Sequence, residues 1–156
     1  MAITYRRATV DDIPGLARLR WEMEVEHKKQ QAALEAYAAV FETSVRGPLT
    51  AGTQVSWLAE ADGDEGEAQP VACVTLIWWD MPPNFENAHR RRGFVSSVYT
   101  RPEYRRQGIS RQLMQMLIAW AREHGLLRLI LRASDMGRPL YSELGFAPSR
   151  GMELDL

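Results

Sequence analysis

In the stretch Val98-Tyr99-Thr100-Arg101-Pro102-Glu103-Tyr104-Arg105-Arg106-Gln107-Gly108-Ile109-Ser110-Arg111, a strand-like run gives way to a proline, a cluster of arginines and a glycine. The strand covers Phe94 to Thr100 and is closed by Pro102. A helical stretch follows over 103–124, its regular part starting near Gln107 or Gly108. Ile109, Leu113, Met116, Leu117 and Trp120 form its apolar stripe, and Gly125 stops it. The first turn of a helix carries free backbone N–H groups and partial positive charge, so it can hold a phosphate. Gly108 and the small Ser110 let a phosphate come close to the backbone, and Arg105, Arg106 and Arg111 can add charge-assisted contacts. The plainer alternative is a solvated arginine loop ahead of an ordinary helix. No Gly-Lys pair or Gly-x-Gly is present, which excludes a P-loop and a dinucleotide fingerprint, and Gln112 spoils the nucleophile-elbow pattern begun at Gly108-Ile109-Ser110.

Working outward, Ile3 to Ala8 reads as a strand. Thr9 with Asp11 and Asp12 starts a helix carrying Ile13, Leu16, Leu19 and Met23 on one face. A second helix is expected over Gln30 to Val45, stopped by Gly47-Pro48. The alternating Val55, Trp57 and Ala59 and the run Val71 to Trp79 form a hairpin across the acidic turn Asp62 to Glu67. Pro82-Pro83 through Arg92 reads as a loop. Leu127 to Leu131 is a strand, Gly137 to Leu144 a short helix, and Met152 to Leu156 a last strand whose edge can pair with a second copy, a possible homodimer. The order β-α-α-β-β-β-α-β-α-β is that of one α/β layer fold, and 1–156 reads as one domain.

The 156 residues contain 19 Lys and Arg against 20 Asp and Glu, 46% hydrophobic and 25% charged residues, as expected for a folded soluble chain. The near-zero net charge argues against bulk-charge binding to nucleic acid or membrane. It hides an asymmetry: 86–111 holds seven arginines and two glutamates, a net +5, leaving the remainder at -6. The single Cys73 cannot make an internal disulfide, and its place in an apolar strand reads as core rather than as an acyl-cysteine nucleophile. His27, His89 and His124 show no ligand spacing with it, so no metal site is expected. Without an h-region or a membrane-length apolar run, the expected location is cytoplasmic.

The spacing Arg105-x-x-Gly108-x-Ser110 on a strand-loop-helix unit resembles the acyl-CoA signature of the GNAT superfamily of N-acetyltransferases, usually Gln or Arg, two residues, Gly, one residue, then Gly or Ala. Leu140-Tyr141-Ser142-Glu143-Leu144-Gly145-Phe146 resembles its second signature, Leu-Tyr-x-x-x-Gly-Phe. The resemblance implies a splayed mixed sheet with coenzyme A between Phe94 to Thr100 and Leu127 to Leu131. The backbone of Val98, Tyr99 and Thr100 would bond the pantetheine arm, and the turn Arg105, Arg106, Gln107, Gly108, Ile109, Ser110 and Arg111 the pyrophosphate. Tyr141 stands at the family's tyrosine near the thioester sulfur and is the implied general acid. Ser134 replaces an asparagine that touches the cofactor in many members, Ser110 the usual Gly or Ala, and Gly137 a common alanine.

The implied activity is transfer of acetyl from acetyl-CoA to a primary amine in a ternary complex, with acetyl-CoA and an amine as the partners. The competing reading is a catalytically weak acyl-CoA sensor or interaction module on the same fold, because no clear general base stands out. A nucleic-acid module using the arginine loops is a third, disfavoured by the charge balance. Glu22, Glu24, Glu26, His27, Asp80 and Glu86 are the acid-base candidates, each read more simply as solvated surface, and Ser97 could position a relaying water. Trp21, Trp57, Trp78 and Trp79 either line an acceptor pocket or pack the core. Arg90-Arg91-Arg92 either meets an anion or forms a solvated loop.

Overall fold

The apolar residues between Gln54 and Met81 fold as a long hairpin, and the sheet grows from it in both directions. The structure, a computed structural model, describes residues 2–28, 33–63 and 67–156. Strands β1 (Ile3–Arg7), β2 (Gln54–Asp62), β3 (Ala68–Met81), β4 (Arg90–Thr100) and β5 (Leu126–Ile130) form one five-stranded sheet in that spatial order. The first four pair antiparallel, and β5 runs parallel to β4. A parallel neighbour needs a crossover, and helix α3 (Ile109–Glu123) supplies it. Helices α1 (Ile13–Lys28), α2 (Leu34–Ala51) and the short α4 (Arg138–Glu143) complete the layers.

Both faces of the sheet are covered at β2, which is buried at every residue but its last. On one face α3 sets Ile109, Leu113, Met114 and Leu117 against Val55, Trp57, Val74, Leu76 and Val95. On the other, Leu16 and Leu19 of α1 pack on Leu58, Cys73 and Tyr99. Each such aliphatic side chain contributes about 1.5–3 kcal/mol when fully buried. The start of α1 is fixed as its sequence implies: a 3-10 turn, Val10–Asp12, opens with a capping box in which Thr9 and Asp12 satisfy each other's backbone N–H groups. Arg6 of β1 donates to both Asp12 and Glu60, locking that turn to the sheet edge.

Several boundaries differ from the expectations. Helix α2 does not stop at Gly47-Pro48 but runs to Ala51 and ends at Gly52, whose φ of +76° suits a glycine C-terminus. Pro48 removes one backbone donor, yet buried Val45 and the packing of Phe41 and Leu49 against the α1 core hold the helix through it. The expected helix start at Gln30 to Ala32 lies outside the described residues, as do Asp64 to Gly66 of the acidic turn. Strand β4 begins at Arg90, so the three arginines 90–92 belong to the sheet and not to a loop. Between β4 and α3 the chain makes a 3-10 turn, Pro102–Tyr104, and then breaks. Arg106 (φ +65°) and Gly108 (φ +78°) are both left-handed, so no helix continues from 103.

The final strand over Met152 to Leu156 is not formed. The segment carries no regular structure, and Met152, Leu154 and Leu156 are exposed at 97%, 83% and 115%. Alternation makes a strand only where an edge accepts its hydrogen bonds, and the attachment here is a single ion pair from Glu153 to the exposed Arg132. The edge expected to pair with a second copy is therefore absent from that segment. No helix among the described residues is long and apolar enough to cross a membrane.

Candidate active site

Two irregularities in β4 create the site. The first is a β-bulge: Thr75 pairs with Ser96 and Cys73 with Tyr99, so Val74 alone opposes Ser97 and Val98. Ser97 takes a φ of +53° to absorb the extra residue. The second is a splay. The β4–β5 pairing runs from Arg91 opposite Leu126 to Phe94 opposite Ile130 and goes no further, so among the described residues Val95 to Thr100 have no strand neighbour on that side. Gly93 sits at the hinge of the splay, where a Cβ would come within 2.5 Å of a Leu76 methyl and 3.0 Å of Leu126 and Leu129. A larger residue there would make those leucine side chains shift, so glycine lets the strands meet closely before they diverge.

At the far end of the gap the backbone turns through Arg106 and Gly108 into α3, whose start has no side-chain cap. Uncapped N–H groups beside two left-handed residues form a concave donor set suited to an anion. A Cβ on Gly108 would meet nothing within 4 Å, so the residue answers a backbone need and leaves the approach open. Thr100 and Ser110 hydroxyls bond each other at 2.8 Å across the base of this turn. This donor set suits the pyrophosphate of a coenzyme A thioester. Arg105 is committed elsewhere: its guanidinium donates to the Thr100 carbonyl (2.9 Å) and to Glu26 (2.7 Å) and lies 5.7 Å from the Tyr99 ring centroid. Arg111 pairs with Glu143 of α4, while Arg106 and Gln107 are exposed.

Tyr141 packs against the α3-side core and is 8% exposed. Its ring meets Phe146 edge-on at 6.1 Å, and a Cβ on Gly137 would come within 2.8 Å of it, which explains glycine at that position. Burial raises its phenol above the usual value of 10, so it remains a neutral donor at any physiological pH. Ser134 is exposed, and its hydroxyl accepts the Gly137 N–H, capping the turn into α4. Val98 packs toward the α3 face and Tyr99 toward α1.

The α1 carboxylates are bound to arginines. Glu22 takes two hydrogen bonds from Arg101, both 2.9 Å, Glu24 pairs with Arg20 at 2.7 Å, and Glu26 with Arg105. The hydrogen bond from Arg105 holds the Glu26 carboxyl below its ordinary value. His27 engages the Met23 carbonyl and Asp80 pairs with Arg91. Glu86 is exposed in the β3–β4 loop. Arg20 was not foreseen: it donates to both Ser96 and Ser97 at 3.1 Å, placing a guanidinium on the bulge. Only its position on the helical face shared with Met23 and Glu24 hinted at this. Cys73 is 1% exposed, donates to the Ser97 carbonyl at 3.2 Å, and burial pushes its thiol up to about 12. Trp57 and Trp78 are structural, the former edge-on to Trp120 and the latter donating to the Gly52 carbonyl, while Trp79 is 38% exposed.

Residues 14–146 match the model of the Acetyltransferase (GNAT) family. A curated relative, glucosamine 6-phosphate N-acetyltransferase of Trypanosoma brucei brucei, is 36% identical over 77 residues, which cover 49% of this chain. The match spans about half, 52%, of that relative's length. A crystal structure of a predicted acetyltransferase with acetyl-CoA from Clostridium acetobutylicum superimposes with a TM-score of 0.83 at 26% identity, covering 99% of this chain and 96% of the other. A GCN5-related N-acetyltransferase from Ralstonia eutropha JMP134 gives a TM-score of 0.83 at 27% identity, covering 99% of each chain.

Proposed function

The chain belongs to the GNAT family of acetyltransferases, and from that premise we propose that it transfers the acetyl group of acetyl-CoA directly to a primary amine. The observation that carries this is the gap between β4 and β5, open from Val95 onward and ending at the uncapped start of α3. A gap flanked by strand backbone suits an extended pantetheine arm, bonded by Val98, Tyr99 and Thr100. The N–H groups of 106–111 suit its pyrophosphate. The crystal structure of the similar Clostridium protein with acetyl-CoA supports this choice of ligand.

Acetyl-CoA, when bound, supplies an activated thioester. The acceptor amine must arrive uncharged, and its nitrogen forms the new C–N bond as the C–S bond breaks. Tyr141 gives its phenolic proton to the departing sulfur, and a phenol suits that step because it holds its proton at neutral pH while a thiol is more acidic. Ser97, its Oγ fixed by the donated Arg20 hydrogen bond, positions a water that takes the proton lost by the amine. The arginine pairing of Glu22, Glu24 and Glu26 gives specific support to a second reading, an acyl-CoA-binding module of weak activity. Thiol release from acetyl-CoA with a panel of amines decides between them: turnover is expected, and binding without turnover favours the module. With Tyr141→Phe, kcat is expected to fall about 100-fold with KM for acetyl-CoA little changed, the usual size of a general-acid effect. An unchanged kcat removes Tyr141 from the acid role.

A further inference from the structure

On the α1-facing side of the sheet, α1 reaches β4 through Arg20 at Ser96 and Ser97, while beyond the buried Thr75 the β3 residues Ile77 and Trp79 stand exposed as a shelf. Gly93, Leu76 and Leu129 point to the α3 face, so Arg92, Phe94, Arg128 and Ile130 point to the shelf. Strand register arranges them in cross-strand rows. Ile77, Phe94 and Ile130 form one row next to the splay, and Trp79, Arg92 and Arg128 form the next. Ile77, Trp79 and Ile130 remain 42%, 38% and 37% exposed, an apolar floor with nothing packed on it among the described residues.

The arginine row is the unusual feature. Arg92 and Arg128 are direct partners on neighbouring strands, about 5 Å apart at the backbone, where like charges repel. Among the described residues neither has a carboxylate within ion-pair distance. Their neighbours differ: Arg91 is held by Asp80 and the His124 carbonyl, Arg90 donates to the Pro82 carbonyl, and Arg132 pairs with Glu153. An unopposed arginine pair beside an apolar floor has the chemistry of an anion clamp.

We infer that Arg92 and Arg128 bind an anionic group, phosphate or carboxylate, of the acceptor, so that the substrate class is a small amine carrying a negative charge. This rests on the acetyl-transfer reading and says which amines that same site takes. The clamp lies about 10 Å along β4 from Val95, where the gap opens. A small molecule, met by the long arginine side chains, spans that distance with its amine at the opening of the gap and its anion on the arginines, its body lying over Phe94 and Ile77.

The test compares matched acceptors by kcat/KM in the thiol-release assay: glucosamine 6-phosphate against glucosamine, and 6-aminohexanoate against its amide. The first pair reads a phosphate and the second a carboxylate. The anionic member of at least one pair is expected to be preferred. Arg92→Gln and Arg128→Gln should each reduce that preference about tenfold through acceptor KM, with KM for acetyl-CoA unchanged. Arg128→Glu, a change at an exposed position, should reverse it. Amines acetylated without regard to the anion, or a preference untouched by all three variants, would overturn the clamp while leaving acetyl transfer standing. No turnover with any amine overturns the transfer reading, and the clamp falls with it.

Discussion

Cys73 shows how burial decides chemistry at the scale of one residue. A thiol at the base of the β4 bulge looks placed for acyl transfer, but it lies in the core facing α1, and desolvation keeps it protonated. A thiol reagent should find no reactive cysteine in the native protein and one after denaturation, and fast native labelling would contradict the packing. Gly93 and Gly137 act by the same logic of space, each leaving room that a methyl group would fill. Ser134 could be placed near the cofactor from its sequence position, but its side chain is used to cap a turn, a local bond that no spacing announces.

At the scale of elements, α1 is riveted to the loop between β4 and α3. Arg101 and Arg105 reach Glu22 and Glu26, four residues apart and so on one face of the helix. Since the folded Glu26 carboxyl lies below its ordinary value of 4.5, its pair supports the fold above that pH and loses its contribution as pH falls through the depressed value. Glu26→Gln should therefore lower stability at pH 7 by at most about 1 kcal/mol, the pair being partly exposed. Melts of variant and wild type should converge as pH falls below the ordinary 4.5 and through the depressed value. A gap that persists in acid would assign the loss to packing. The helices and the central hairpin were legible because their apolar periodicities are strong. The ends were not: Pro48 reads as a stop until Val45 and Leu49 are seen held by the core, and Met152 to Leu156 reads as a strand until its lack of an edge is seen. Ion pairs bridging some 80 positions of sequence leave no local trace, so the fate of Arg105 was invisible.

Over the whole molecule, the charge asymmetry along the chain is largely cancelled in space. Of the seven arginines between 86 and 111, Arg91, Arg101, Arg105 and Arg111 meet acids of other segments. What remains basic is Arg90, which donates to the Pro82 carbonyl, Arg92 on the shelf and Arg106 on the turn. The segment 152–156 contributes little to this architecture, so its removal should shift the thermal midpoint by the equivalent of no more than about 0.5 kcal/mol. A larger loss would mean that the segment packs on something.

The bulge at Ser97 governs more than the local backbone. Along a regular strand Ser96 and Val98 would share a face, but the extra residue resets the alternation, so Ser96, Ser97 and Tyr99 all belong to the α1 side and Val98 to the α3 side. The faces of Val98 and Tyr99 thus depend on the bulge absorbing one extra residue. Removing Ser97 would leave Ser96, Val98 and Tyr99 alternating as a regular strand on the faces they already hold, so the loss would fall on the hydroxyl that Arg20 holds and not on the core. The core's side assignment is complete without the extra residue, whose consequence is confined to the backbone and the hydroxyl it places at the candidate site.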